Sequence, residues 1–226
     1  MKYILFDIDG TLIDSGGAGT RSLDLAFEEI FSIPEAFRDI SMAGKTDIQI
    51  LKEGLKLHRI DNPNGVIPVF FRTYIRHLRK NIDTGKGHVK PGIKNALQFL
   101  SSNSGCILGL LTGNIEEGAM VKLQAFGLDT FFETGAFGDD SEDRNKLLPV
   151  AVDKLYKRTS LAVGFKDCIV IGDTPRDIEC SKPYGALAVA VATGPYAFGV
   201  LADAGADVVF EDLSDTDRFI SALQCP

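Results

Sequence analysis

The 226-residue sequence predicts an α/β fold in which a doubly wound parallel sheet carries a helical insert. Short apolar runs recur along the chain, and each ends in a polar or glycine-rich turn. Amphipathic windows lie between most of these runs, whereas one long segment near the amino terminus contains only helical windows. Because strand and helix patterns alternate outside that segment, we expect βα units that form one parallel sheet.

The predicted strands are almost continuously apolar, which is typical of parallel strands that are covered on both faces. They comprise residues 3–6, 106–111, 168–171, 187–191 and 208–210. Amphipathic spacing predicts helices over residues 93–100, 115–126, 147–155 and 176–184.

The segment that interrupts this alternation has helical patterns over residues 20–31, 46–58 and 66–81. Glycine-rich stretches at residues 15–19 and 85–87 bound it and suit hinges. Ligands of open α/β sheets bind beyond the carboxyl ends of the strands, so an insert after the first strand should overhang that site as a lid. We therefore predict a discontinuous core, residues 1–14 and 88–226, and a helical cap, residues 15–87.

The composition excludes several classes of protein. Lys and Arg total 24 against 31 Asp and Glu, a net charge of -7 that is poorly suited to nonspecific nucleic-acid binding. The sequence shows no signal-peptide pattern and no apolar stretch near the roughly 20 residues that span a bilayer. Its four cysteines form no C-x-x-C pair, which favours a reducing compartment. We expect a cytoplasmic protein without nucleic-acid or membrane partners.

The first predicted strand leads directly into the sequence Asp-Ile-Asp-Gly-Thr at residues 7–11. Taken alone, this is equally an Asp-Gly turn that ends a strand. However, Asp7 and Asp9 would raise one another's pKa unless a cation lay between them, which makes a site for a hard metal ion plausible.

Two further polar turns also follow apolar runs. Residues 172–177, Gly-Asp-Thr-Pro-Arg-Asp, suit the start of a helix, while Leu-Thr-Gly-Asn at residues 111–114 suits either a helix cap or a phosphate site. A parallel sheet would gather all three turns on one edge, together with cations from the polar loop at residues 138–146. The combination predicts a site for a metal ion and a phosphate group.

The motifs at residues 7–11, 112–114 and 172–177, in this order and with an insert after the first, resemble those of the haloacid dehalogenase superfamily. The resemblance spans nearly the whole chain and is greatest to phosphoglycolate-phosphatase-like members. It implies a Rossmann-like core and a mobile helical cap of the C1 type.

The resemblance also implies catalytic roles. Asp7 would be the nucleophile that forms an aspartyl-phosphate, and Asp9 the acid that protonates the leaving group and then activates water. Mg²⁺ would be held by the Asp7 carboxylate, the Asp9 backbone carbonyl and the Asp173 carboxylate, with Asp177 as an outer-shell or alternative ligand.

Phosphate binding is assigned by the same resemblance. Thr112 and Gly113 would bind the transferring phosphoryl group, and Arg144 would supply the cation, with Lys146 as the alternative. Lys45 is a possible cap contact to the substrate, although an exposed lysine near a helix start is the simpler explanation.

The predicted function is therefore a Mg²⁺-dependent phosphomonoester hydrolase that acts on a small phosphorylated metabolite. Asp9 argues against the dehalogenases and phosphonatase-like members of the superfamily, which lack an acid at that position. A phosphomutase of the β-phosphoglucomutase type retains both acids and stays open, as does a noncatalytic binding protein on the same fold.

Overall fold

The structure, a computed structural model, describes residues 1–61, 63–83 and 85–223. Six parallel strands form its sheet. They are β1 (Lys2–Phe6), β4 (Cys106–Leu111), β5 (Thr134–Ala136), β6 (Cys168–Gly172), β7 (Leu187–Val191) and β8 (Val208–Phe210). Their order in the sheet is β5-β4-β1-β6-β7-β8, which confirms the predicted α/β class. Cys225, one of the four cysteines, lies outside the described residues.

The central strand is β1, which pairs with β4 on one side and β6 on the other. In this register Phe6 lies opposite both Leu110 and Ile171. The residues that follow β1, β4 and β6 therefore meet at one edge of the sheet, as the sequence predicts.

The sequence analysis missed β5. Its residues, Thr-Gly-Ala, are too small and too few to form an apolar run. A Cβ atom added to Gly135 would lie 2.7 Å from Leu110 Cβ, so close packing against β4 requires the glycine. A strand selected for small size carries no hydrophobic pattern by which to recognise it.

Helices cover both faces of the sheet, and apolar clusters fill the two layers between them. The core helices are α4 (Ile93–Ser102), α5 (Glu116–Phe126), α6 (Leu147–Thr159), α7 (Pro175–Ser181), α8 (Phe198–Asp203) and α9 (Thr216–Ala222). The predicted helix over residues 176–184 is shorter than expected, because α7 ends before a 3-10 turn at Lys182–Tyr184. Pro183 in that turn has no N–H to continue the α-helical hydrogen bonds.

An insert of three helices lies between two very short strands, β2 (Ile13–Asp14) and β3 (His88–Val89), which pair antiparallel. These helices are α1 (Ala18–Phe31), α2 (Asp47–Leu57) and α3 (Pro63–Asn81). The strand pair holds the two ends of the insert together. We call α1 to α3 with their connecting loops the insert.

The insert has an apolar core of its own, centred on Phe27, Phe37, Phe70 and Tyr74. Phe27 packs edge to face on Phe37 with ring centroids 5.2 Å apart. This cluster extends to Ile115 and Val121 at α5, so the insert also packs on the core. In the described parts of the chain, no helix is both long and apolar enough to cross a membrane.

Candidate active site

A cavity of about 440 Å³ lies at the edge of the sheet where β1, β4 and β6 end, with the insert above it. Core and insert both contribute side chains to its lining. The core contributes Asp7, Asp9, Thr112, Asn114, Lys122, Arg144 and Asp173, and the insert Leu23, Met42, Lys45, Asp47, Ile50 and Tyr74.

Three buried carboxylates, those of Asp7, Asp173 and Asp177, have oxygen atoms within 4.8 Å of one another. Asp7 directly follows β1, and its backbone N–H donates a hydrogen bond to Ile171 O at 2.9 Å. Asp173 directly follows β6, and its Oδ1 accepts a hydrogen bond from Thr11 Oγ1 at 2.8 Å. The pairing of neighbouring strands therefore places the first and third motifs side by side.

Asp177 has a structural role as well as a place in this cluster. Its Oδ2 accepts hydrogen bonds from the Thr174 backbone N–H at 3.0 Å and the Thr174 hydroxyl at 2.7 Å. The bond from the Thr174 N–H is one half of a capping box at the start of α7, where the residue types predict that a helix begins. The same side chain thus starts a helix and adds a third carboxylate to the cluster.

Two glycines allow the backbone to approach Asp173 closely. A Cβ atom added to Gly10 would lie 2.3 Å from Asp173 Oδ2, and one added to Gly194 would lie 1.7 Å from it. Gly10 also has a φ of 86°, in the left-handed region that favours glycine. The glycine of the first motif is therefore required both by the turn and by the neighbouring carboxylate.

Arg144 is the cation in contact with this cluster. Its Nη2 lies 3.2 Å from Asp7 Oδ2 and also donates a hydrogen bond to Asp177 Oδ1. Its Nε is a buried donor without an acceptor among the described residues. Lys146, two residues further on, is exposed and does not line the cavity, whereas Arg144 does.

The charges of the cluster are unbalanced, because three carboxylates face one guanidinium. Burial raises the pKa of Asp7 to about 6, although Arg144 opposes the rise. Burial and the nearby Asp7 and Asp177 charges also raise the pKa of Asp173. A hard divalent cation would offset this excess negative charge, and carboxylate oxygens are the ligands that Mg²⁺ prefers. The donor set therefore fits Mg²⁺.

The Asp9 side chain contacts Asn114 and Lys122 and not the carboxylate cluster, and neither partner was predicted from the sequence. Its Oδ2 accepts a hydrogen bond from Asn114 Nδ2 at 2.9 Å and forms an ion pair with Lys122 Nζ at 2.5 Å. Lys122 also donates to Asn114 Oδ1 at 2.6 Å, which closes a three-residue network. Burial would raise the pKa of Asp9, but the Lys122 ammonium holds it below its usual range.

A sequence signal for Lys122 exists, because it is the one charged residue in the run of residues 118–126. A lone lysine on the inner face of an amphipathic helix requires a buried partner. The side chain is 4% exposed, so its pairing with Asp9 replaces its contact with water. Nothing in the sequence alone identified that partner.

The second motif lies between Asp7 and the insert. The Thr112 hydroxyl is buried and accepts a hydrogen bond from Asn114 Nδ2 at 2.9 Å. Gly113 O accepts a hydrogen bond from the Asp47 backbone N–H at 2.8 Å. A Cβ atom added to Gly113 would lie 2.1 Å from Lys45 O, so the insert loop rests directly on this glycine.

Two charged residues of the insert line the cavity. Lys45, the predicted cap contact, forms an ion pair with Glu53, and its side chain is 14% exposed. Asp47, which the sequence analysis did not single out, is buried, and its Oδ2 accepts a hydrogen bond from the Ile115 backbone N–H at 2.9 Å. Burial raises the pKa of Asp47 to about 6, against the opposing effect of Lys122.

Comparison with known proteins agrees with this geometry. The family model of haloacid dehalogenase-like hydrolases matches residues 4–191. The chain belongs to this family. A phosphoglycolate phosphatase of Agrobacterium fabrum is 25% identical over 93% of this chain and 88% of its own length. A phosphoglycolate phosphatase of Vibrio cholerae is 26% identical over 94% of each chain.

The fold of this haloacid dehalogenase-like hydrolase also matches solved structures. A hydrolase from Pseudomonas syringae has a TM-score of 0.73 at 22% identity, with 98% of this chain and 99% of that chain covered. The position of the insert after the first strand fits the C1 type of cap that the sequence resemblance implied.

The predicted site residues of this hydrolase line one cavity, apart from Asp177, which contacts Arg144 without lining the cavity, and Lys146. Asp7, Asp173 and Asp177 form the carboxylate cluster, with Arg144 in contact. Asp9 lies in a separate network with Asn114 and Lys122. The sequence analysis missed Lys122 and Asp47, since their roles depend on contacts between segments far apart in the chain.

Proposed function

We propose that this hydrolase is a Mg²⁺-dependent phosphomonoesterase that acts on a small phosphorylated metabolite through an aspartyl-phosphate on Asp7. The buried cluster of Asp7, Asp173 and Asp177 beside Arg144 carries the proposal. Its unbalanced charge suits a divalent cation, and its one arginine suits a phosphate group. The family and the names of its phosphoglycolate phosphatase relatives support the same class of reaction.

In the proposed site, Mg²⁺ would be held by the Asp7 and Asp173 carboxylates and the Asp9 backbone carbonyl, with Asp177 nearby. When bound, the ion offsets the negative charge of the carboxylates and of the phosphoryl group. Arg144, Thr112 and the Gly113 backbone would bind the phosphoryl oxygens and orient the phosphorus atom toward Asp7.

The proposed reaction has two steps. An Asp7 carboxylate oxygen attacks phosphorus while the bond to the leaving oxygen breaks, and the Asp9 carboxyl gives that oxygen its proton. Asp9 then takes a proton from water, which attacks phosphorus and releases Asp7 and inorganic phosphate. Lys122 and Asn114 hold the Asp9 carboxylate in place during this exchange.

We also propose that the insert moves as a cap of residues 15–87 over a core of residues 1–14 and 88–226. The paired strands β2 and β3 suit this division, because they join the two connections between insert and core. The cavity volume of about 440 Å³ suits a small metabolite. Opening of the cap would admit it.

The test is hydrolysis of p-nitrophenyl phosphate by the wild type and by Asp7→Asn, each with Mg²⁺ and with EDTA. Asp24→Asn is the matched control, since Asp24 also accepts a backbone hydrogen bond, from Phe37 N at 3.0 Å, but does not line the cavity. We expect Mg²⁺-dependent release by the wild type and Asp24→Asn, and a loss of at least about 10³-fold in Asp7→Asn.

Hydrolysis by Asp7→Asn at the wild-type rate would contradict the assignment of the nucleophile. Transfer of the phosphoryl group to a sugar hydroxyl in preference to water would identify a phosphomutase instead. Phosphate binding by folded protein without turnover of any phosphorylated metabolite would identify a noncatalytic binding protein.

A further inference from the structure

This inference rests on the proposed function, because the role of Asp9 determines where in the cavity the leaving group binds. If Asp9 protonates the leaving oxygen, the rest of the leaving group lies next to the Asp9 network. That network consists of Asn114 and Lys122. The insert contributes the largely apolar side chains of Leu23, Ile50 and Tyr74 to the lining of the cavity.

Asp47 adds a second carboxylate to the same side. The peptide N–H that holds its Oδ2 belongs to Ile115, the residue directly after Asn114. Asp47, Asp9 and the buried Tyr74 all line the same cavity. Among the described residues Asp47 forms no ion pair, and a backbone N–H leaves its charge unbalanced.

The cations nearest to this side already have partners. Lys122 contacts both Asp9 and Asn114 Oδ1. Lys45, the cation that the insert contributes to the lining, is paired with Glu53. Lys122 is the ion-pair partner of Asp9, whereas Asp47 has a backbone N–H as its hydrogen-bond donor and no ion-pair partner among the described residues.

We propose that Asp47 determines specificity by excluding leaving groups that carry a second negative charge. The substrate class is then a phosphate monoester of an uncharged alcohol whose remaining part bears a hydroxyl group. Such a hydroxyl can donate to the Asp47 carboxylate, whereas a carboxylate or second phosphate at the same place meets like charge. On this inference the chain differs in substrate from its phosphoglycolate phosphatase relatives.

The test compares two substrates of nearly equal size and shape. 2-Phosphoglycolate has a carboxylate where 2-hydroxyethyl phosphate has a hydroxymethyl group. We expect the wild type to have a kcat/KM for 2-hydroxyethyl phosphate at least about tenfold above that for 2-phosphoglycolate. Inhibition constants of both compounds against p-nitrophenyl phosphate hydrolysis, measured on the same protein, should rank in the same order.

The variant Asp47→Asn removes the charge but retains an oxygen that can accept the Ile115 N–H. We expect it to improve 2-phosphoglycolate hydrolysis, to lower kcat/KM for 2-hydroxyethyl phosphate because its hydroxyl then meets a neutral amide, and so to reduce the selectivity ratio by about tenfold or more. Asp24→Asn removes a carboxylate of the insert outside the cavity and should leave the ratio unchanged.

Equal or better use of 2-phosphoglycolate by the wild type would overturn the inference, and this comparison requires no variant. An Asp47→Asn protein that folds and keeps the wild-type ratio would overturn the role of Asp47. Absence of Asp7-dependent hydrolysis of p-nitrophenyl phosphate would overturn the proposed function, and with it the inference. The two failures are therefore distinguishable.

Discussion

Replacing Gly113 with alanine would place a methyl group where the insert rests on the core. The added Cβ would lie 2.1 Å from Lys45 O and 3.1 Å from Thr46 Cα, both backbone atoms of the insert loop. Close contacts between carbon and a carbonyl oxygen are about 3.3 Å or longer. The loop must therefore retreat by roughly 1 Å from its position in the structure.

Three hydrogen bonds at this contact determine the size of the effect. Asp47 N donates to Gly113 O at 2.8 Å, Ile115 N to Asp47 Oδ2 at 2.9 Å, and Thr46 Oγ1 to Glu142 O at 3.0 Å. At about 1 kcal/mol each, their loss would weaken closure of the insert by up to about 3 kcal/mol. A displacement of about 1 Å near reacting groups lowers activity by about 10²-fold, which is the same magnitude.

The assay pairs kcat/KM for p-nitrophenyl phosphate with hydrogen exchange of the Asp47 and Ile115 amides. We expect Gly113→Ala to lose about 10²-fold in kcat/KM and to exchange both amides faster. Gly199→Ala is the control, because a Cβ atom there meets nothing within 4 Å. Wild-type activity with protected amides in Gly113→Ala would refute the reasoning.

Three other substitutions test separate parts of the structure. The pKa of Asp47 is raised from 3.8 to about 6, so ionisation of this carboxyl lowers the stability of the wild type as pH rises from about 4 to 6. The free energy of unfolding of Asp47→Asn in urea, relative to that of the wild type, should therefore be up to about 3 kcal/mol higher at pH 7.5 than at pH 4. A difference that does not change with pH would contradict this. Lys122→Met should lower kcat by about tenfold or more, because Asp9 loses the ion pair that positions it, and should raise KM by a smaller factor. An unchanged kcat would argue against a role of Lys122 in positioning Asp9. Phe27→Ala should lower the free energy of unfolding, measured with denaturant, by about 3 to 5 kcal/mol, because Phe27 is fully buried. The exposed control Leu25→Ala should lower it by less than about 1 kcal/mol. Equal losses would show that the insert core is not packed as described.

Much of the fold could be predicted because strands that are buried on both faces appear in the sequence as continuous apolar runs. Five of the six sheet strands have this pattern. The exception, β5, is defined by the close approach of Gly135 to Leu110. Such a strand depends on the space available in the sheet, which the local sequence does not encode as hydrophobicity.

Some residues of the candidate site could likewise be predicted from the sequence, and others could not. Asp7, Asp173 and Thr112 could be predicted because each directly follows an apolar strand, and parallel strands align their carboxyl ends. Lys122 and Asp47 could not, because one lies on an inner helix face and the other in the insert. Lys122 meets Asp9 only when α5 packs beside the end of β1, and Asp47 meets Ile115 only when the insert docks on the core.

The sequence by itself determined the strand and helix alternation, the insert after the first strand and the three polar turns of the site. These features are local, since they arise from apolar runs, turn residues and the directions of parallel strands. Only the tertiary structure decided which groups became charge partners: Arg144 for Asp7 and Asp177, and Lys122 for Asp9. Charge pairing acts through space at a few ångströms, so residues more than a hundred positions apart become neighbours without a common sequence signal.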